Sequence, residues 1–194
     1  MGREKTLSGT KKKILSILCR NGRRNLIDIG RELGISHVAV RKHLSQLEEQ
    51  GILKIRGELS PEKTGLKLVL VFMEIESEDY MEEITGRFRN CPRIILLAPM
   101  VGGYNLLALM VAENNEVLEC ISTVCTVRRM KGIRRSEVYL IADLVKPKFL
   151  PIEVTVEKNR KIAPCGRDCS SCHKYVNGKC LGCPATIHYR GGIL

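Results

Sequence analysis

Five cysteines stand within nineteen residues near the C-terminus: Cys165, Cys169, Cys172, Cys180 and Cys183. Cys169 and Cys172 form one CxxC pair, and Cys180 and Cys183 form a second after seven intervening residues. Two thiolates two residues apart turn toward one ion, and two such turns complete a tetrahedral sulfur shell. The first residues, Met1 to Thr6, contain no apolar run of the kind a secretion leader needs. A cytoplasmic protein is therefore expected, and paired cysteines there point to a metal rather than to a disulfide framework. Zinc is the default occupant of four sulfurs. A [4Fe–4S] cluster is the competitor, because Cys165-x3-Cys169-x2-Cys172 places three thiolates close together and Cys180 or Cys183 supplies the fourth. Five cysteines for four places leave Cys165 as a further ligand candidate or a free redox thiol, with His173 adjacent. Cys19, Cys91, Cys120 and Cys125 are scattered and read as small buried hydrophobes.

The elements that must position these thiolates begin with a proline-spaced linker over residues 145–151, which favours extended chain. Ile152, Val154 and Val156 alternate and predict one added strand. Asn177-Gly178 lets the chain reverse between the CxxC pairs, and Gly182 relaxes the second turn. Residues 157–194 hold too few apolar side chains for a core of their own, so a metal staple is expected there.

The whole chain has 194 residues, 44% of them apolar and 27% charged, which excludes fibrous and wholly disordered classes. Charged residues interrupt every apolar stretch short of a membrane span. The net charge is +11. Residues 1–64 hold 14 basic and 7 acidic side chains, residues 65–150 hold 11 of each, and residues 151–194 hold 7 and 3. A basic segment at the N-terminus suits a polyanion such as duplex DNA, whose condensed counterions Lys and Arg release.

Three helical patterns occupy that basic segment. Ile14, Leu15, Ile17 and Leu18 form the first apolar stripe, ending near Asn21-Gly22. Leu26, Ile29 and Leu33 form the second, ending at Gly34. Ser36 is the expected N-cap of the third, in which Val40, Leu44 and Leu47 face inward. Ile52 to Arg56 alternates like a strand, and residues 57–65 read as a loop carrying Pro61. The order predicts a winged helix-turn-helix over residues 1–64. His37, Val38, Ala39, Arg41, Lys42 and Ser45 then face outward, where Arg and Lys read guanine edges or phosphates and Val and Ala meet thymine methyls. Lys11 and Lys12 are candidate phosphate contacts.

Residues 65–150 change period. Strands are expected over residues 66–75, 93–99, 104–112 and 136–145. One helix carries Tyr80, Ile84 and Phe88. Another is capped by Asn114 and carries Val117, Leu118, Ile121, Val124 and Cys125. The order βαββαβ is the ferredoxin-like split unit. The fold class is therefore α+β: a winged helix-turn-helix at 1–64, a ferredoxin-like domain at 65–150, and a small cysteine-rich metal module at 151–194.

Residues 23–29 with Leu33-Gly34-Ile35-Ser36, then Val40-Arg41-Lys42-His43-Leu44 and residues 47–53, resemble the DNA-binding head of the leucine-responsive/AsnC (Lrp/AsnC, feast/famine) family of prokaryotic transcription regulators. Residues 102–107 resemble that family's glycine-acid-tyrosine-acid turn. Met130 to Ile133 with residues 136–146 resemble its last loop and strand. The likeness spans residues 7–150. It implies a DNA-binding regulator, dimeric or larger through its ferredoxin-like (RAM-type) domain, with small-molecule effectors binding near the turn. Met100, Gly102, Gly103, Tyr104 and Asn105 are the effector-site candidates it implies. Gly103 and Asn105 replace the acids usual there. The tail lies outside the family pattern and is similar to small cysteine-rich modules of anaerobic prokaryotes with a CGxxCxxC…CxGC arrangement. Siroheme decarboxylases share the two-domain architecture, so a tetrapyrrole enzyme is one alternative and an iron–sulfur redox adaptor another. No enzyme is expected, because all four histidines, His37, His43, His173 and His188, fall outside residues 65–150.

Overall fold

The computed structural model describes residues 7–155 and 157–194, which divide into two compact units, Met1–Gly57 and Glu58–Leu194. In the first, α1 (Gly9–Arg20), α2 (Leu26–Leu33) and α3 (His37–Glu49) each begin at a polar cap: Ser8, Asn25 and Ser36. Each cap side chain accepts an N–H that the helix itself cannot satisfy. Ile14 and Leu18 of α1, Ile29 of α2, and Val40 and Leu44 of α3 form the buried centre.

The expected strand over residues 52–56 does not form. A lone extended segment has no ladder to satisfy its backbone, and two strands by themselves are marginal. Only Leu53 of that stretch packs on the helices, while Ile52 and Ile55 stay exposed.

The second unit opens with a short helix, α4 (Pro61–Thr64), inside the expected loop. Ser60 caps it, and Pro61 sits at the first helical position, where its missing N–H costs nothing. Then follow β1 (Lys67–Ile75), α5 (Glu78–Phe88), β2 (Ile94–Pro99), β3 (Leu106–Ala112), α6 (Asn115–Thr123), a 3-10 turn (Thr126–Arg128) and β4 (Ile133–Ile141). The antiparallel sheet has the order β2-β3-β1-β4, as the βαββαβ reading requires. β4 begins and ends earlier than its sequence pattern suggests. Its limits follow its partner: Ile75 lies opposite Ile133 and Leu68 opposite Ile141, so the ladder stops where β1 begins.

One sheet face is covered. Val69, Val71, Met73 and Ile75 of β1 and Leu106, Ala108 and Met110 of β3 pack on Ile84 and Phe88 of α5 and on Val117 and Ile121 of α6. Burying each large side chain contributes about 1.5–3 kcal/mol. On the other face, Leu70, Phe72 and Leu107 are half-buried, and Leu96 and Tyr139 are exposed.

The tail belongs to this unit. No strand forms over residues 151–155, and Val156 lies outside the described residues. Instead Leu59 and Leu150 exchange backbone hydrogen bonds, each 2.9 Å, as an isolated bridge. Leu150, Ile152, Tyr189 and Leu194 bury against Leu66, Leu68 and Val111. The tail thus shares the domain's apolar surface. Its own regular structure is one short helix, α7 (His173–Val176). Among the described residues, no helix is long and apolar enough to cross a membrane.

Candidate functional site

In the basic head, the turn between α2 and α3 is built for closeness. Gly34 is left-handed at φ 68°, and a Cβ on Gly30 would stand 2.6 Å from the Ile35 carbonyl oxygen. The turn therefore brings the start of α3 directly against α2. Along α3, His37, Val38, Arg41, Lys42 and Ser45 are exposed, as expected, and Ala39 is half-buried. Val38 is 61% exposed, an apolar side chain left in water at the helix start. On α1, Lys12 is exposed and Lys11 half-buried.

At the effector-candidate turn, Asn105 is occupied structurally. Its Oδ1 accepts the Ile75 N–H at 2.7 Å, and its Nδ2 donates to the Ile75 carbonyl at 2.9 Å. It extends the strand pairing with a side chain. Gly102 and Gly103 are exposed, and Met100 and Tyr104 half-buried. Tyr104 lines a 270 Å³ cavity with Phe72, Glu137 and Tyr139. The Tyr139 hydroxyl donates to Glu137 at 2.5 Å, and with the paired Arg135 guanidinium it holds this carboxyl well below its ordinary value, so it is anionic at neutral pH.

The cysteines form the second site. A cavity of about 100 Å³ inside the second unit is walled by Cys165, Cys169, Cys172, Cys180 and Cys183, and equally by Cys91, Cys120 and Cys125. The sequence reading placed these last three among inert hydrophobes, and Cys19 with them. Cys19 is in fact exposed on α1. Cys91 lies in the turn before β2, Cys120 in α6, and Cys125 just after α6. No local signal separates a cysteine that lines a cavity from one buried in the apolar core. The only sequence clue was that eight cysteines occur in one unit.

Local backbone geometry serves the sulfurs. The backbone N–H groups of Arg93, Val127 and Ala185 favour the thiolates of Cys91, Cys125 and Cys183, against the larger opposing effect of burial. Cys180 accepts from the Gly182 N–H at 3.4 Å. Gly182 is left-handed at φ 82°, and a Cβ there would lie 2.7 Å from the His188 carbonyl oxygen. Gly182 is thus required by a close approach as well as by its turn.

Burial pushes the Cys91 thiol far up, Cys120 to about 12, and Cys125 and Cys183 to about 11. Neighbouring thiols add to each shift through like charge. Burial also opposes the Cys172 thiolate. The Arg167 guanidinium, 3.5 Å away, and the backbone N–H groups of Tyr175 and Lys174 outweigh it and hold this thiol below its ordinary value. Thiols this buried stay protonated unless a cation draws the proton off, as a bound metal does.

Among the described residues, no three His, Cys, Asp or Glu side chains converge on one point as a single bare ion needs. The sulfurs stand around a space. Arg93, which lines the cavity, is buried in an ion pair with Glu113. Arg93 also donates to the Gly182 carbonyl at 2.7 Å, and the Tyr189 hydroxyl donates to Glu113 at 2.7 Å. Gly182 is therefore latched to the residue just before β2, and Tyr189 to the residue just after β3.

Residues 7–54 match a family model described as winged helix-turn-helix DNA-binding. The chain is 30% identical over 107 residues to the HTH-type transcriptional regulator Ptr1 of Methanocaldococcus jannaschii, covering 55% of this chain and 72% of that protein. It is 29% identical to the leucine-responsive regulatory protein of Haemophilus influenzae, covering 74% of this chain and 89% of the relative. Among solved structures, the transcriptional regulator NMB0573 of Neisseria meningitidis, in complex with L-Met, superposes with a TM-score of 0.65 at 22% identity. That match covers 74% of this chain and 94% of the other.

Proposed function

The chain belongs to the Lrp/AsnC family of transcription regulators, and from that premise we propose that it reads duplex DNA with the outer row of α3 and takes metal-dependent input through its cysteine-lined cavity. The observation that carries the DNA reading is that row: His37, Val38, Arg41, Lys42 and Ser45 stand together in water on a helix whose other side is core. The relatives are transcription regulators by name, not enzymes.

The half-exposed sheet face of Leu70, Phe72 and Leu107 supports a homodimer formed sheet to sheet. The cavity at Tyr104, with anionic Glu137, supports a small-molecule effector with a cationic group, such as an amine. The meningococcal structural neighbour was solved with L-Met. With Asn105 occupied by the strand, effector contacts fall to Tyr104 and its neighbours. The cysteine site takes a thiophilic metal, zinc or a [4Fe–4S] cluster, by the chemistry of its donors. Thiolates are soft donors, and the buried ones need a cation to become thiolates.

A gel-shift titration on duplexes selected from a random-sequence library tests the DNA reading. Arg41→Ala is expected to weaken the preferred site by ~1–3 kcal/mol if it contacts a base pair. Lys12→Ala is expected to weaken all duplexes alike and to lower the salt slope by about one. Identical binding by Arg41→Ala and wild type removes α3 from the reading surface. Elemental analysis of the purified protein, with the same titration before and after chelation, tests the metal input.

A further inference from the structure

We infer that the cavity holds two iron–sulfur centres shared between the ferredoxin-like domain and the tail, with Cys91, Cys120 and Cys125 completing the ligand set begun by the five tail cysteines. The inference rests on the reading that the tail cysteines bind metal, and it replaces a single tail site with a composite one.

The count comes from the cavity: eight cysteines line one space, five from the tail and three from the domain, and two [4Fe–4S] clusters take eight thiolates. The tail alone has one cysteine too many for one centre and three too few for two. The three domain cysteines complete the second set.

The spacing favours a cluster over an ion. At a zinc–sulfur distance of ~2.3 Å, tetrahedral ligand sulfurs lie ~3.8 Å apart. No three side chains converge that way among the described residues. In a [4Fe–4S] cluster each cysteine binds a different iron, so its sulfurs surround a body several atoms across. A cavity of about 100 Å³ is large on this scale, since a water needs only ~10–15 Å³ by the same measure. The surroundings suit anionic clusters. The Gly182 N–H donates to Cys180 at 3.4 Å, and such hydrogen bonds to sulfur stabilise the bound state and tune it. Arg167 lies against Cys172. Interleaved use of one cysteine run by two clusters is ordinary chemistry for closely spaced thiolates.

Such a site would tie α6, the turn before β2 and the tail to one another through metal. Losing it would release the tail from the domain rather than melt the tail alone.

The test uses the full chain, reconstituted anaerobically with ferrous iron and sulfide. Wild type is expected to hold about eight irons and eight sulfides, two clusters of four each. Cys91→Ser with Cys125→Ser leaves six cavity cysteines, too few for two clusters, and is expected to lose at least half of both. Circular dichroism confirms that the variant folds. Spin quantitation of dithionite-reduced wild type needs no variant, and two spins per chain are expected. About four irons with one spin, unchanged by Cys91→Ser with Cys125→Ser, overturns the shared site and leaves a tail metal centre standing. Zinc in place of iron overturns the iron–sulfur assignment. Wild type that retains no metal overturns this inference and the metal-input reading together.

Discussion

Glu113→Ala probes the latch between tail and domain. The Glu113 and Arg93 side chains are each only 8% exposed, and they pair with each other. Burial disfavours the charged Arg93, and Glu113 more than offsets this. Removing the carboxylate leaves a buried guanidinium with only the Gly182 carbonyl, and leaves the Tyr189 hydroxyl without its acceptor. Breaking a buried pair from one side costs about 3–5 kcal/mol. That is roughly two to four orders of magnitude in the folding equilibrium, at about 1.4 kcal/mol per factor of ten. A domain with only ~5–15 kcal/mol to lose should show this plainly. The loss should appear first at the tail, because both orphaned groups hold it. Urea unfolding followed by circular dichroism measures the total. Limited proteolysis measures the tail, with cleavage expected after residue 157 well before the sheet opens. The double variant Arg93→Met with Glu113→Leu should recover most of the stability, since an apolar pair of similar volume needs no counter-charge. A Glu113→Ala cost below about 1 kcal/mol, or a double variant no better than the single, would refute the account of the latch.

Two glycine substitutions should have opposite signs. Gly86→Ala in α5 meets nothing within 4 Å and should stabilise by about 0.4–1 kcal/mol in thermal unfolding. Gly30→Ala in α2 puts a Cβ 2.6 Å from the Ile35 carbonyl. Backbone cannot yield there, so it should destabilise the head and weaken DNA binding, and a stabilised Gly30→Ala would count against the turn geometry. Leu70→Asp, on the open sheet face beside core-facing Val69 and Val71, should convert the assembly to monomer in light scattering with the fold intact. An unchanged mass would place the contact elsewhere.

The elements of this protein were legible because the signals are local. Apolar spacing marks α1, α2 and α3, and Ser36 and Asn114 cap the helices that follow them. Apolar runs and turns order the four strands, and the order βαββαβ leaves one sensible sheet. The same local logic misread residues 52–56 and 151–155, where alternation lacks a partner strand and backbone pairing decides. It also could not set the end of β4, which is dictated by the length of β1.

The CxxC runs marked the tail cysteines as candidate ligands, because that spacing suits a turn around a metal. What lay outside the sequence's reach was membership of the site. Cys91, Cys120 and Cys125 are far from the tail along the chain and look like any small core residue. They meet Cys165, Cys169, Cys172, Cys180 and Cys183 only because α5 and α6 pack on one sheet face and the tail folds back over their ends. The composition of the cavity therefore depends on long-range packing. Local spacing carries no information about that, and only the tertiary structure decides it.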